Sequence, residues 1–309
     1  MLRYVVVRLV QGLVVIFLVT TLVFVILHLA PGDPVTLLIG EGRMTPEQVE
    51  QIRHFWGLDQ PLHVQYLRWA GNMLRGDFGE SIGFGGRSVG ALLKDAAPNT
   101  LVLNVLALIT SIGVALPAGV IAARRRYSVF DGGLMVVSTL GISLPNFWLG
   151  LMLIVLFALT LRWLPPFGMS DWRSYLLPVF VLATEQMALL ARLTRSATLE
   201  VLAHEFVTTA RAKGLPEASV LVGHVVRNAL LPVITVIGYR IGFLLSGTIV
   251  IETVFAWPGV GRLLFQAIGQ RDYVVVQAVV TLGAIVVVLA TLLTDIAYAY
   301  VDPRIRYGG

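Results

Sequence analysis

The 309-residue chain contains no cysteine, which excludes disulfide bonds, thiolate metal sites and cysteine nucleophiles. Charge is also scarce: charged residues make up 13% of the chain, against roughly 25% in an ordinary globular protein. Apolar residues make up 57%, and the mean hydropathy is +0.82. Because so few charges cannot cover a water-soluble surface, the composition predicts an integral membrane protein.

Lysine occurs only at Lys94 and Lys213, and neither belongs to a GxxxxGK[ST] phosphate-binding loop. If the protein uses ATP, another subunit must therefore bind it. The five histidines form no HxxxH pattern or histidine–carboxylate cluster, so we expect no fixed metal site. Neither HExxH nor GxSxG occurs, which argues against an intramembrane enzyme.

Six apolar segments have the length that a membrane-spanning helix needs, about 20 residues. The first follows two arginines, as a signal peptide would, but its apolar run is too long and no good cleavage site follows. We therefore expect a retained helix within residues 1–30. The other predicted spans cover 100–123, 132–161, 175–197, 230–251 and 274–298.

Arginine in the short loops sets the orientation, because cytoplasmic loops carry an excess of positive charge. Arginines cluster in both terminal flanks, in 124–131 and in 192–227. Both termini, including the tail 300–309, are therefore predicted to be cytoplasmic, and 31–99 extracytoplasmic. Nucleic-acid binding, the usual interpretation of a pI near 9.7, is not expected, since this charge follows membrane topology.

The outer segment contains one clear helix start. Thr45-Pro46-Glu47-Gln48 combines an N-cap residue, proline at the first helical position and glutamine at the third. We predict a helix over 46–55, with mostly irregular structure in the glycine-rich residues after it.

The largest predicted cytoplasmic loop covers 198–229. Within it, Gly214-Leu215-Pro216-Glu217 has the pattern of one helix ending at glycine and another beginning at proline. We predict two short helices with an exposed break at Gly214. Such a tip is suited to binding a partner, although a simple linker between two spans remains the alternative.

This loop resembles a known one. Its stretches TARAKGL at 209–215 and RNALLP at 227–232 resemble the cytoplasmic "EAA" loop of bacterial ATP-binding-cassette importer permeases, most closely the dipeptide, oligopeptide and nickel branch. Against the general pattern, Thr208 and Thr209 replace Glu and Ala, departures that this branch shares. Further segments resemble the branch in order along the whole chain: 30–34, 57–62, 76–79, 252–255, 257–261 and 300–304.

The resemblance implies the type I importer permease fold, an all-α membrane protein with six spans. It implies four kinds of partner: a second permease subunit, two ATPase subunits, an extracytoplasmic substrate-binding protein and membrane lipid. ATP and magnesium would be held by the ATPases, with no cofactor on this chain. The expected site is the bacterial plasma membrane. The expected cargo is di- or oligopeptides, with nickel complexes, glutathione-like or other small solutes as alternatives.

The resemblance also assigns a role to the loop. It would sit in a cleft of one ATPase subunit and transmit the motion of the ATPases to the membrane spans. Gly214 would allow a sharp turn. Arg211 and Lys213 would pair with ATPase carboxylates, or serve only as the positive-inside signal. The predicted contact residues are Thr208, Thr209, Ala210, Arg211, Ala212, Lys213, Gly214, Leu215, Pro216 and Glu217.

Charges within the spans are costly, so they indicate function or pairing. Glu185 and Arg240 each lie roughly 15–18 Å deep at 1.5 Å per residue, and are predicted to pair or to line the route. Asp295 lies near the inner end of the last span. Glu252, Trp257 and Gly259 are predicted to belong to an outer loop or gate.

An ion-coupled secondary transporter would also explain charges within the spans, but it leaves the 198–229 loop unexplained. No segment of the sequence resembles the selectivity filter of a channel.

Overall fold

The computed structural model describes residues 2–29, 45–241 and 248–301. Within these ranges the only strand-like pairing is an isolated bridge between Glu80 and Ser88. The helices are α1 Leu2–Leu29, α2 Pro46–Trp56, α3 Leu62–Leu74, α4 Val89–Arg124, α5 Val129–Ser143, α6 Asn146–Leu153, α7 Leu176–Leu202, α8 Glu205–Ala212, α9 Glu217–Ser219, α10 Arg227–Ile241, α11 Ile249–Val254, α12 Val260–Gly269 and α13 Tyr273–Val301. Short π-helical stretches, Ile154–Thr160 and Val220–Val226, continue α6 and α9, and a 3₁₀ turn, Trp172–Tyr175, precedes α7.

Within the described ranges, five helical segments are long and apolar enough to cross a membrane, and a bent pair makes a sixth if its two halves form one span. The predicted all-α membrane class with six spans is therefore confirmed in its helix count. The five are Val5–Leu29, Val89–Arg124, Trp172–Leu202, Glu217–Ile241 and Tyr273–Thr294.

The third predicted span, 132–161, is not one helix. Val129–Ser143 and Asn146–Thr160 meet at a bend of 103°. Pro145 stands at the bend with Leu144 in an extended conformation before it. Proline has no N–H to donate and disfavours the helical conformation of the preceding residue, which breaks the helix here.

The predicted bounds of the second, fourth and fifth spans are also wrong, and all for the same reason. The predicted second span begins at Val89 rather than 100, and the fourth extends to Leu202 rather than 197. The second short helix predicted in the 198–229 loop is the start of the fifth span, which begins at Glu217. A hydropathy window stops at charged residues, whereas a helix continues beyond the apolar layer.

The fifth span also ends differently from the prediction. Residues 249–251, which were placed in it, belong to the separate helix α11. Residues 242–247 lie outside the described ranges. The predicted sixth span, 274–298, lies within α13.

The helix predicted at 46–55 is confirmed as α2. The Thr45 side chain accepts from the Gln48 N–H, and the Gln48 side chain accepts from the Thr45 N–H at 2.9 Å. Gly57 ends the helix at φ +67°. The expectation of mostly irregular structure beyond it is wrong at α3, which begins after Pro61 and accommodates Gly71 in its interior.

The chain divides into two compact units: Met1–Asn99 with Pro258–Gly309, and Thr100–Trp257. In the first unit, Val89, Leu92, Ala267 and Val275 are among the residues of a buried apolar cluster. Buried Asp272 fixes the start of α13, because its carboxylate accepts from Ser81 Oγ, Gly83 N–H and Val275 N–H.

In the second unit, α4 and α7 cross closely at Gly119. A Cβ at this position would lie 2.7 Å from the carbonyl oxygen of Ala191 and 2.7 Å from Cβ of Thr194. Gly113, on the same helix, has no neighbour within 4 Å of a built Cβ. Small residues let membrane helices approach closely, and Gly119 serves this purpose.

Gly119→Ala is therefore expected to destabilise the protein by about 1–3 kcal/mol through overpacking against a helix backbone. Gly113→Ala, with the same change in helix propensity, should leave the apparent melting temperature unchanged or raise it. The measurement is thermal unfolding of the two detergent-purified variants. Equal melting temperatures for both would contradict a tight crossing at Gly119.

Candidate functional site

The exposed tip between the fourth and fifth spans is the candidate site, and we call residues 205–217 the coupling segment. It consists of α8 and the turn that leads into the fifth span. Helix α7 ends at Leu202, and α8 begins after His204, which has an extended backbone. The coupling segment is thus a short, separate helix held between two long ones.

Apolar side chains anchor the coupling segment to the ends of both long helices. Val207 is fully buried and Ala210 nearly so. They join a cluster with Val201 from α7 and with Val220 and Val225 from the start of the fifth span. The coupling segment therefore has a fixed inner face that packs against the ends of both long helices.

A left-handed glycine ends the helix at the tip. Gly214 has φ +77°, a conformation that L-residues with side chains rarely adopt. Its N–H donates to Arg211 O at 2.9 Å, and Leu215 N–H donates to Ala210 O at 3.4 Å. Nothing lies within 4 Å of a Cβ built at Gly214, so this position faces open space.

An ion pair closes the turn across this glycine. Arg211 Nε donates to Glu217 Oε2 at 3.1 Å, and Nη2 donates to Oε1 at 2.7 Å. The bond to Glu217 holds the pKa of Arg211 above its usual value. The sequence alone predicts for Arg211 either pairing with an ATPase carboxylate or a purely topological role. The two hydrogen bonds to Glu217 add a structural role within the chain, because they hold the two sides of the turn together.

The predicted contact residues lie together in this segment, and all but one of them are exposed. Of the ten residues 208–217, Ala210 is buried and the others are exposed. Phe206, which was not predicted, also exposes 40% of its surface on the same helix. The signal was available, because Val207 and Ala210 share one helix face at a spacing of three and leave Phe206 on another.

The two charges predicted near the membrane midplane meet. Arg240 Nη2 lies 3.7 Å from Glu185 Oε1, and Asn146 Nδ2 donates to Glu185 Oε2 at 3.2 Å. The Glu185 and Arg240 side chains are 46% and 32% exposed within the chain. Asn146 was missed because the bend that brings it here was not predicted. Whether this group lines the route stays a prediction, and the Asp295 side chain lies outside the described residues.

A second, tighter ion pair was not predicted at all. Arg195 on α7 donates to Asp131 on α5 through Nε, and through Nη2 at 2.7 Å. Asp131 also accepts from the Tyr127 N–H at 3.0 Å. A lone aspartate carries no sequence signal for a partner 64 residues away, which is why this pair was not predicted.

The predicted outer-gate residues are buried or lie at helix starts. Glu252 is fully buried, and its Oε1 accepts from Thr100 at 2.7 Å and Thr248 at 2.8 Å. Trp257 is also fully buried, with its ring edge-on to Tyr175 at 4.6 Å. Gly259 directly precedes α12. Their role in a gate stays a prediction. Among the described residues, no group of three histidine or acidic side chains has the arrangement of a metal site.

Comparison with known proteins identifies the family. Residues 115–307 match the binding-protein-dependent transport system inner membrane component family, and residues 1–104 match its N-terminal membrane component. The chain belongs to this family. It is therefore a membrane permease subunit of a binding-protein-dependent transport system, which works with other components of that system.

Relatives of this permease match along nearly its whole length. The oligopeptide transport system permease protein AppB of Bacillus subtilis (strain 168) is 42% identical, covering 99% of this chain and 100% of the relative. The di/tripeptide transport system permease protein DppB of Pseudomonas aeruginosa (strain UCBPP-PA14) is 42% identical, covering 94% and 95%. The glutathione transport system permease protein GsiC of Escherichia coli (strain K12) is 40% identical, covering 99% and 100%.

Proposed function

We propose that this permease forms half of the translocation pathway of an ATP-driven importer for di- or oligopeptides. The relatives with oligopeptide, di/tripeptide and glutathione transport in their names support a cargo with peptide bonds. In this proposal the permease lies in the bacterial inner membrane with both termini cytoplasmic. An extracytoplasmic binding protein delivers the peptide, and a second, homologous permease completes the path.

The coupling segment is the proposed contact with an ATPase subunit. The observation that carries this is its combination of a buried inner face, at Val207 and Ala210, with an otherwise exposed outer face. A segment fixed to two spans and exposed at its tip transmits motion, whereas a loose linker would absorb it. ATP and magnesium are bound by the ATPases, and this chain performs no covalent chemistry.

Purification of the tagged permease from native membranes in mild detergent tests the assembly. We expect two kinds of co-purifying chain, a second six-span protein and ATPases with P-loop motifs. In proteoliposomes, ATP hydrolysis should rise when a peptide and the binding protein are added. An isolated chain that moves solute without ATP would instead support the secondary transporter. If a nickel complex but no peptide stimulated ATP hydrolysis, the proposed peptide cargo would be wrong and a nickel complex would replace it.

Glu185→Gln tests the proposed pathway role of the midplane charges. The Glu185–Arg240 contact is long at 3.7 Å and both side chains are partly exposed, so a structural contribution should be small. We expect normal yield of the assembled importer and peptide uptake lowered about tenfold, equivalent to ~1.4 kcal/mol. Low yield with normal uptake per molecule would make the pair structural.

A further inference from the structure

The first unit contains a cavity of about 500 Å³ that the proposed transport function does not use. It lies where the end of α1, the helix α3 and the start of α13 come together, with the loop 77–82 along one side. Its walls combine apolar and aromatic side chains with a few polar ones. This composition is typical of a small-molecule site.

Several polar side chains in the cavity wall have no polar partner among the described residues, and Gln277 and Arg68 are two of them. Gln277 is buried within the unit at 4% exposure, and its amide makes no hydrogen bond there. Arg68 also forms no ion pair or hydrogen bond within the described ranges. The Gln277 amide is not among the fully enclosed side-chain atoms that lack a partner, and Gln277 lines the cavity, so the amide is accessible there to a ligand or water that can complete its hydrogen bonds.

The guanidinium group of Arg68 extends over Gly57 at the end of α2. A Cβ at Gly57 would lie 2.5 Å from Arg68 Nη1, so this glycine leaves room for the guanidinium. Asp77 and Glu80 lie in the same cavity wall. The cavity thus offers an unpaired cation as well as two carboxylates, which suits a ligand that carries both an anionic and a cationic group.

The cavity stands at the level where two membrane spans end. His28 is the last residue but one of α1, and Tyr273 is the first of α13. Phe24 stacks on His28 at 4.0 Å and lies 6.2 Å from Trp69 between ring centroids. Aromatic side chains are enriched at the boundary between lipid and water, where phospholipid headgroups lie.

An apolar surface leads from this cavity along α1. Val25, Ile26 and Leu29 are 44%, 54% and 76% exposed, next to the wall residues Phe24 and His28. A ligand with long hydrocarbon chains could therefore keep its headgroup in the cavity and its chains against the helix. A water-soluble zwitterion would leave this apolar surface uncovered.

We propose that this cavity binds the headgroup of a phospholipid that carries a primary ammonium group, such as a phosphatidylethanolamine. Arg68 binds the phosphate, because guanidinium groups pair with phosphate oxygens through two N–H groups. Asp77 and Glu80 receive the ammonium group, and the Gln277 amide satisfies its hydrogen bonds with the headgroup. The lipid joins α1, α3 and α13 at the membrane surface.

The test uses the full-length permease, purified with whatever partners co-purify and stripped of lipid in detergent. Adding phosphatidylethanolamine should raise the apparent melting temperature by roughly 5 °C at saturation. Arg68→Gln should lose most of this rise. Arg75 is an exposed residue that directly follows α3 and lies outside the cavity. Arg75→Gln removes the same charge, and this variant should show the full rise in melting temperature.

Gln277→Leu gives a second, independent readout through the size of its response to lipid. In the absence of lipid, replacing the amide, which has no partner among the described residues, with an apolar side chain of similar size should leave the melting temperature unchanged or raise it. With a lipid site, the variant should also show a smaller rise on adding phosphatidylethanolamine than the wild-type protein does.

Four results would overturn the proposal. The first is the same rise in Arg68→Gln as in wild type. The second is a full lipid response in Gln277→Leu. The third is an equal rise with inorganic phosphate alone, which would make the cavity a free-phosphate site. The fourth is an equal rise with phosphatidylglycerol, which lacks the ammonium group. None of these depends on whether the importer carries peptides.

Discussion

A Gly214→Asp variant is expected to assemble with its partners at normal yield and to lose at least about tenfold in peptide transport, or ~1.4 kcal/mol of coupling. A Cβ at Gly214 has no described neighbour within 4 Å, so the expected cost to folding is the backbone strain at φ +77°, which aspartate tolerates better than most residues. The new side chain would, however, place a carboxylate on the exposed face that is proposed to contact the ATPase. An unmatched charge at such a contact is costly.

Gly214→Asn is the matched control for this variant. Asparagine and aspartate are similar in size, and both tolerate the left-handed conformation better than other side chains do. The two variants therefore share the backbone strain and differ in charge. We expect Gly214→Asn to retain most transport, measured as uptake and as peptide-stimulated ATP hydrolysis. Equal loss in both variants would assign the effect to shape, and wild-type rates in both would exclude a contact at this tip.

The second large effect is expected at the ion pair between Asp131 and Arg195. Asp131 is 5% exposed and Arg195 is 20% exposed, so removing one partner leaves a charge largely shielded from water. Breaking a buried pair typically costs about 3–5 kcal/mol, and the remaining exposure of Arg195 suggests the lower end. Asp131→Asn should lower the yield of folded permease and its melting temperature.

Arg192→Gln provides the control on the same helix, since Arg192 is exposed and lies three residues before Arg195. It should have almost no effect on stability. The double variant Asp131→Asn with Arg195→Met leaves no unpaired charge, and should be more stable than Asp131→Asn alone. If the two single changes simply add in the double variant, the side chains do not depend on each other for stability.

The sequence predicted correctly those helix starts and ends that depend on the residues immediately around them. The helix at 46–55 follows from its capping residues, and the break at Gly214 follows from glycine followed by proline. Helix ends in the spans were predicted less well, because polarity marks where an apolar window ends and not where a helix does. The start of the fifth span at Glu217 is the clearest example.

The rest of the candidate site depends on tertiary contacts that a single sequence does not encode locally. Pro145 was visible, but a proline inside a span is compatible with a mild kink or with the observed bend of 103°. That bend brings Asn146 to Glu185, which spacing along the chain could not indicate. The Asp131–Arg195 pair likewise joins two helices whose packing had to be known first.

The bend at Pro145 has a consequence for how the chain enters the membrane during synthesis. Each of its two halves contains about 15 residues, or roughly 22 Å of helix at 1.5 Å per residue. A bilayer core is about 30 Å thick, so neither half is long enough to be inserted alone as a spanning segment. We therefore expect the translocation machinery to release both halves into lipid as one unit. A charge introduced into either half would then impair the biogenesis of both.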